Sequence, residues 1–279
     1  MRSSFTFSLL AAAILYGPMA GPASAQTDLS KFPLARAVPD DVFLAVSART
    51  NPERAFLDAY WEDVLQAFRE SGITSDIWDL ITDQVPDEAL DEFEATAERF
   101  SELCGKVSLS TICEKEFVHA GRLRFGSGPV PYEGVFMGRS SAKAAAANYS
   151  ALAAILKEVR GLVEEQNGEG VLDLTEEENG GVKSVVLGPA GLPQVGIRLA
   201  QRKDVILVGF GGTGLVDDCL DLLKRGGKNK SLVGTARFKA AFAQLPAAED
   251  SLFFFDIDRM MRTIDTFVGM MSGPPPQAG

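Results

Sequence analysis

An α+β fold, an antiparallel β-meander sheet with helices packed against it, is the architecture this sequence predicts, and three observations predict it. Apolar runs of strand length recur from Val42 to Phe255. The runs between Gly170 and Val208 are joined by connections of a few residues, whereas parallel neighbours need a crossover of about a dozen. Segments with apolar residues three and four apart stand before, between and after those runs, as helices that must bury one face.

The first element is an address. Met1-Arg2 is a short positive start, Phe5 to Tyr16 is an almost unbroken apolar run, and Pro18 to Pro22 breaks it ahead of Ala23-Ser24-Ala25. This is the pattern of a secretory signal peptide over residues 1–25, with cleavage expected between Ala25 and Gln26 and an exported, periplasmic or extracellular product. The apolar run is shorter than the roughly 18 residues a spanning helix needs, so no permanent membrane anchor is expected. Arg2 has no second arginine beside it, so the route is one that carries unfolded chains, and any cofactor has to be acquired after export.

Residues 26–272 are expected to form one α+β domain, and residues 273–279, Gly-Pro-Pro-Pro-Gln-Ala-Gly, a tail or linker. The domain opens with a buried strand, Asp41 to Ser47. Asn51 and Pro52 then start a helix whose wide apolar face is Phe56, Tyr60, Trp61, Val64, Leu65 and Phe68, ended by Ser71-Gly72. Helices are expected over Asp76 to Thr82 and Asp87 to Leu103. Paired strands follow at Phe117 to Leu123 and Tyr132 to Met137, flanking Gly126-Ser127-Gly128-Pro129. An alanine-rich helix comes next, with Tyr149, Leu152, Ile155, Leu156 and Val159 facing inward. Four strands are expected at Gly170 to Leu174, Val182 to Leu187, Val195 to Ala200 and Val205 to Val208, with Asn179-Gly180-Gly181 the clearest turn. A faint repeat links Pro39 to Leu44, with Arg49 and a helix after it, to Leu245 to Phe255, with Arg259 and a helix after it. Duplication and two similar strand-helix units both account for it.

Charge excludes one class of function. The chain carries 27 basic and 38 acidic residues, a formal net charge of −11, and loss of Arg2 makes the mature part more acidic still. Such a surface repels nucleic acid and anionic lipid, and no basic stripe with interleaved aromatics offsets it.

The sharpest motif is Gly209-Phe210-Gly211-Gly212-Thr213-Gly214, a G-x-G-x-x-G between a strand and the helix Leu215 to Leu223. In a dinucleotide site these glycines let the backbone approach a pyrophosphate. Here the preceding strands read as antiparallel, and Lys228-Asn229-Lys230 stands where an acidic residue would meet the ribose, so a glycine-rich turn is the expected role. Asp256 and Asp258 would share one face of a strand and suit a divalent cation, but the expected role of Asp258 is to cap a helix starting at Arg259. Glu176-Glu177-Glu178-Asn179 reads as a solvated turn, since the spaced ligands of a calcium loop are missing. His119 is the only histidine and sits in a strand pattern. Cys104 and Cys113 are spaced for a small disulfide loop or for two buried thiols, and Cys219 is expected in the core. No G-x-S-x-G, H-E-x-x-H, P-loop or C-x-x-C occurs, so no catalytic residue, metal ligand or cofactor is assigned.

Val38-Pro39-Asp40-Asp41-Val42-Phe43-Leu44, Asn51-Pro52-Glu53-Arg54, Ser231-Leu232, Phe238, Leu245-Pro246 and Asp250 resemble a domain-of-unknown-function family of exported bacterial proteins. The resemblance implies export and an α+β fold, and carries over no activity and no site residue. The expected function is that of an exported, non-enzymatic module with a protein-binding or envelope-associated structural role. The alternative is a carrier of an apolar ligand held between sheet and helices, with a dinucleotide-binding enzyme using Gly209 to Gly214 behind both.

Overall fold

The structure, a computed structural model, describes residues 27–51, 53, 60, 63–64, 66–67, 70–72, 87–125, 130–226, 230–243 and 245–271. The expected signal peptide over 1–25, the helix expected over 76–82, most of the expected aromatic helix, the Gly126 to Pro129 link and the expected tail 273–279 lie outside the described residues.

Eight strands form one sheet: β1 (Leu44–Arg49), β2 (Glu116–Leu123), β3 (Tyr132–Arg139), β4 (Leu172–Asn179), β5 (Val182–Pro189), β6 (Val195–Arg202), β7 (Val205–Gly212) and β8 (Ser251–Phe255). Their order is β4-β5-β6-β7-β3-β2-β1-β8, and every pairing is antiparallel. The predicted α+β class with a meander is therefore the observed one: β4 to β7 are a meander, joined to the β2–β3 hairpin by the β7–β3 pair. Gly180 and Gly181 both have positive φ, +59° and +74°, so the β4–β5 hairpin turns where its sequence expects. The strands of the two similar segments, β1 and β8, pair side by side, Leu44 opposite Phe255 and Val46 opposite Phe253.

Two layers cover the sheet. Along β7, Val205 and Leu207 point into one cluster and Ile206 and Val208 into the other, the period-2 signature of a strand buried on both faces. Helix α1 (Asp87–Gly105), the short α2 (Leu109–Ile112) and the long α3 (Ala142–Asn167) belong to the second cluster's face. The predicted inward face of α3 holds: Leu156 is buried, and Tyr149, Leu152, Ile155 and Val159 pack around it. On the other face lie α4 (Gly214–Arg225), α5 (Ala236–Phe242) and 3-10 turns at Leu34–Ala37 and Leu232–Gly234. The last helix, α6 (Ile257–Met271), follows β8.

Two strands run further than their sequence suggests. Glu176, Glu177 and Glu178 are not a turn but the second half of β4, fully paired with Val185, Ser184 and Lys183. Gly209 to Gly212 are likewise not a turn but the end of β7, paired with β3 and β6. Backbone pairing, which is blind to side-chain polarity, overrides composition in both.

A buried carboxylate ties the N-terminal segment to the sheet. Glu116 on β2 is 2% exposed, and both its oxygens accept from the Leu34 N–H at 3.0 and 2.9 Å, with the Ser47 hydroxyl 3.3 Å away. Burial outweighs those donors and pushes its pKa from 4.5 up to about 7. A carboxyl that holds its proton longer in the folded chain stabilises most at low pH. Its contribution then declines as pH rises from about 4.5 to about 7. Between pH 5 and pH 8 the wild type should lose about 2 kcal/mol that Glu116→Gln does not lose. Urea denaturation of both chains at the two pH values checks this; parallel losses would contradict it.

Candidate functional site

The glycines of the G-x-G-x-x-G pattern have steric work inside the fold. Gly211 has φ +82°, and a Cβ there would come within 2.1 Å of the Tyr132 carbonyl oxygen on β3. At Gly212 a Cβ would meet the Glu133 side chain at 2.6 Å. Strand β7 is antiparallel to both β6 and β3, so the parallel strand-helix-strand unit that presents a pyrophosphate site is not built here.

What Gly212 makes room for is part of a buried charge cluster. Arg122 on β2 is 1% exposed; its Nε donates to Glu133 at 2.8 Å, and its Nη1 donates to Asp218 at 2.6 Å and to Asp41 at 3.0 Å. Burial works against this guanidinium, but Asp218, Asp41 and Glu133 together raise its pKa above the ordinary arginine value. Glu133 is the cross-strand partner of Arg122, Asp41 precedes β1, and Asp218 lies on α4. One side chain thus joins three parts of the chain that are distant in sequence.

The remaining sequence candidates are scattered. Asp256, not Asp258, caps α6: its Oδ1 accepts from the Arg259 N–H at 2.8 Å, because the helix starts two residues earlier than Arg259. Asp258 lies inside the first turn and pairs with Arg262. The His119 ring stacks on Phe210 with centroids 6.1 Å apart, and burial lowers its pKa. Cys104, Cys113 and Cys219 are all unbridged; Cys219 is in the core as expected, and burial pushes Cys113 up to about 12. Among the described residues no three His, Cys, Asp or Glu side chains are grouped to hold a metal, and no helix is long and apolar enough to cross a membrane. Between the sheet and the helices around Ala45, Phe238 and Phe254 the open space is about 10 Å³, room for no more than a water.

The feature that sequence reading missed is at the β8 edge. Leu252 and Phe254 are buried, Phe254 against Phe238 at 5.5 Å, while Phe253 and Phe255 are 57% and 41% exposed. Helix α6 continues this character with Ile257, Met261 and Val268 outward, so five of the twelve exposed large apolar side chains among the described residues fall within residues 253–268. Among the described residues the outer backbone of β8 has no strand beside it. Asp250 C=O accepts from Arg49 N–H and Asp256 N–H donates to Phe43 C=O, so by the alternation of an antiparallel ladder the N–H and C=O of Ser251, Phe253 and Phe255 face away from β1. The triple phenylalanine was the available signal: an unbroken apolar run is the mark of a strand covered on both faces.

The opposite edge is guarded. On β4 the exposed side chains include Glu176, Glu177 and Glu178, charges that discourage another strand from docking.

Arg122→Met should cost about 3–5 kcal/mol, because it leaves Glu133 buried without its partner. The double change Arg122→Met with Glu133→Leu should recover much of that loss in chemical denaturation. Gly211→Ala should destabilise the chain by more than about 1 kcal/mol with or without nucleotide, and millimolar NAD or NADP should leave the wild-type melting temperature unchanged. A nucleotide-dependent rise abolished by Gly211→Ala would reverse the packing account of these glycines. Comparison of this chain with protein-family models, with curated proteins and with solved structures finds no match.

Proposed function

We propose that this chain is an exported, non-enzymatic protein-binding module that takes an extended segment of a partner protein as a ninth strand along β8. The observation that carries this reading is the unequal treatment of the two sheet edges. β4 is blunted by carboxylates, whereas β8 offers an open hydrogen-bonding ladder flanked by Phe253 and Phe255. An open ladder selects an extended backbone, and side chains alternating along it select apolar residues at every second position of the incoming strand. The net charge of −11 favours a neutral or basic partner over a second copy of this acidic chain. Export rests on the pattern of residues 1–25.

The test uses a fluorescent peptide of alternating valine and lysine, with a valine and glutamate peptide as its charge control. Anisotropy should show saturable binding of the basic peptide only. Phe253→Pro should abolish it by removing an outward-facing N–H, while the inward ladder to β1 and the melting temperature stay within a few degrees of wild type. No binding at about 1 mM, or binding indifferent to Phe253→Pro, sinks the reading. A stable dimer in light scattering would also overturn it, by identifying a second copy as the occupant.

A further inference from the structure

Helix α6 presents an unusual face to a surface cleft. Arg259, Arg262, Thr263, Thr266 and Phe267 recur at intervals of one, three and four, and line a cleft of about 490 Å³ shared with Phe125 and Arg237. That volume lies in the range of small-molecule sites. Three guanidiniums and one carboxylate, Asp256, line it, in a chain where acids outnumber bases.

The three arginines are not equivalent. Arg237 is committed to the fold: it pairs with Asp256, donates to the Asp40 and Val42 carbonyls and lies 5.2 Å from the centre of the Phe254 ring. Arg262 is shared with Asp258 one turn back. The Arg259 guanidinium has no hydrogen-bond or ion-pair partner among the described residues, although its backbone N–H is held by Asp256. Burial would raise the Asp256 carboxyl, but the Arg259 N–H, the Arg237 pair and, more weakly, the Arg259 charge keep it below its ordinary range, so it stays charged and stays paired with Arg237. The Arg259 guanidinium is thus on the cleft wall with a Coulombic tie to Asp256 but no direct pair among the described residues.

The hydroxyls and rings define the rest of a ligand. Thr263 and Thr266 donate their hydroxyl protons to the Arg259 and Arg262 carbonyls, both at 2.8 Å, so each offers the cleft only lone pairs. Phe125 and Phe267 stack with centroids 4.1 Å apart and form an apolar wall.

We propose that this cleft binds a small organic anion: a carboxylate or phosphate on Arg259, a flat apolar body against Phe125 and Phe267, and a hydroxyl or amine that donates to the threonines. The site is independent of the β8 edge, and Phe253→Pro should leave it intact.

Calorimetric titration with 4-hydroxybenzoate, benzoate, phenyl phosphate and inorganic phosphate tests it on the whole chain. At least one organic anion should bind with a millimolar or tighter Kd, and inorganic phosphate about tenfold more weakly. A preference between benzoate and phenyl phosphate identifies which anionic group the site takes. Arg259→Gln should weaken the organic anions about tenfold while moving the melting temperature by only a few degrees, since the fold uses this guanidinium through a Coulombic tie to Asp256 and no direct pair among the described residues. Phe267→Leu should weaken the organic anions and leave inorganic phosphate as it was. No heat at about 10 mM, inorganic phosphate binding as tightly as the organic anions, or an Arg259→Gln titration equal to wild type would each overturn the proposal.

Discussion

The Arg122 guanidinium is the constraint from which much of this architecture follows. A cation that is 1% exposed has to be surrounded by acceptors, and its three carboxylates come from the segment before β1, from β3 and from α4. Satisfying it therefore fixes where the N-terminal segment enters the sheet and how α4 lies across the sheet. Gly212 at the end of β7 follows from the same demand, because the Glu133 side chain occupies the space that a side chain there would need.

Glu116 plays a parallel role by other means. It binds the chain entering the Leu34–Ala37 turn through a backbone N–H, with only a weak Coulombic pull from Arg139 and no ion pair among the described residues, so its anchoring comes with a desolvation cost that grows with pH. Arg122 and Glu116 are both on β2, six residues apart and on the same face. That strand is central to the half of the sheet built from β1, β2, β3 and β8, and the polar groups buried beneath it set the register of what packs there. The β8 edge is the counterpart: the face that carries Phe254 is covered, whereas Phe253 and Phe255, on the opposite face, stay exposed.

Legibility in the sequence divides along the range of the interactions involved. The inward face of α3, the burial of Cys219 and the turn at Gly180-Gly181 were readable because periodicity and local φ preference decide them. The three glutamates of β4 were misread because a paired edge strand whose side chains stay in water has the composition of a turn. The glycines of β7 were misread because their reasons lie elsewhere in the chain, on β3 for Gly211 and Gly212 and on α4 for Gly209. The cap was placed at Asp258 because two aspartates flank Ile257, and only the first turn of α6 shows which of them meets the Arg259 N–H. Of the two surfaces proposed for binding, the phenylalanine run was visible in the sequence. The convergence of Arg259 with Phe125 was not.

By itself the sequence determined the class of fold, because short apolar runs with short connections admit little other than an antiparallel sheet, and it determined the acidic character of the chain. Only the tertiary structure decided that β1 is flanked by β2 and β8, which buried charges face one another, and which strands end the sheet. The physical reason is that strand pairing and ion pairing join groups about 80 to 200 residues apart, such as Asp41 with Arg122 and Leu44 with Phe255. No local propensity encodes such partners, and the surfaces that define an edge or a cleft exist only once those partners have met.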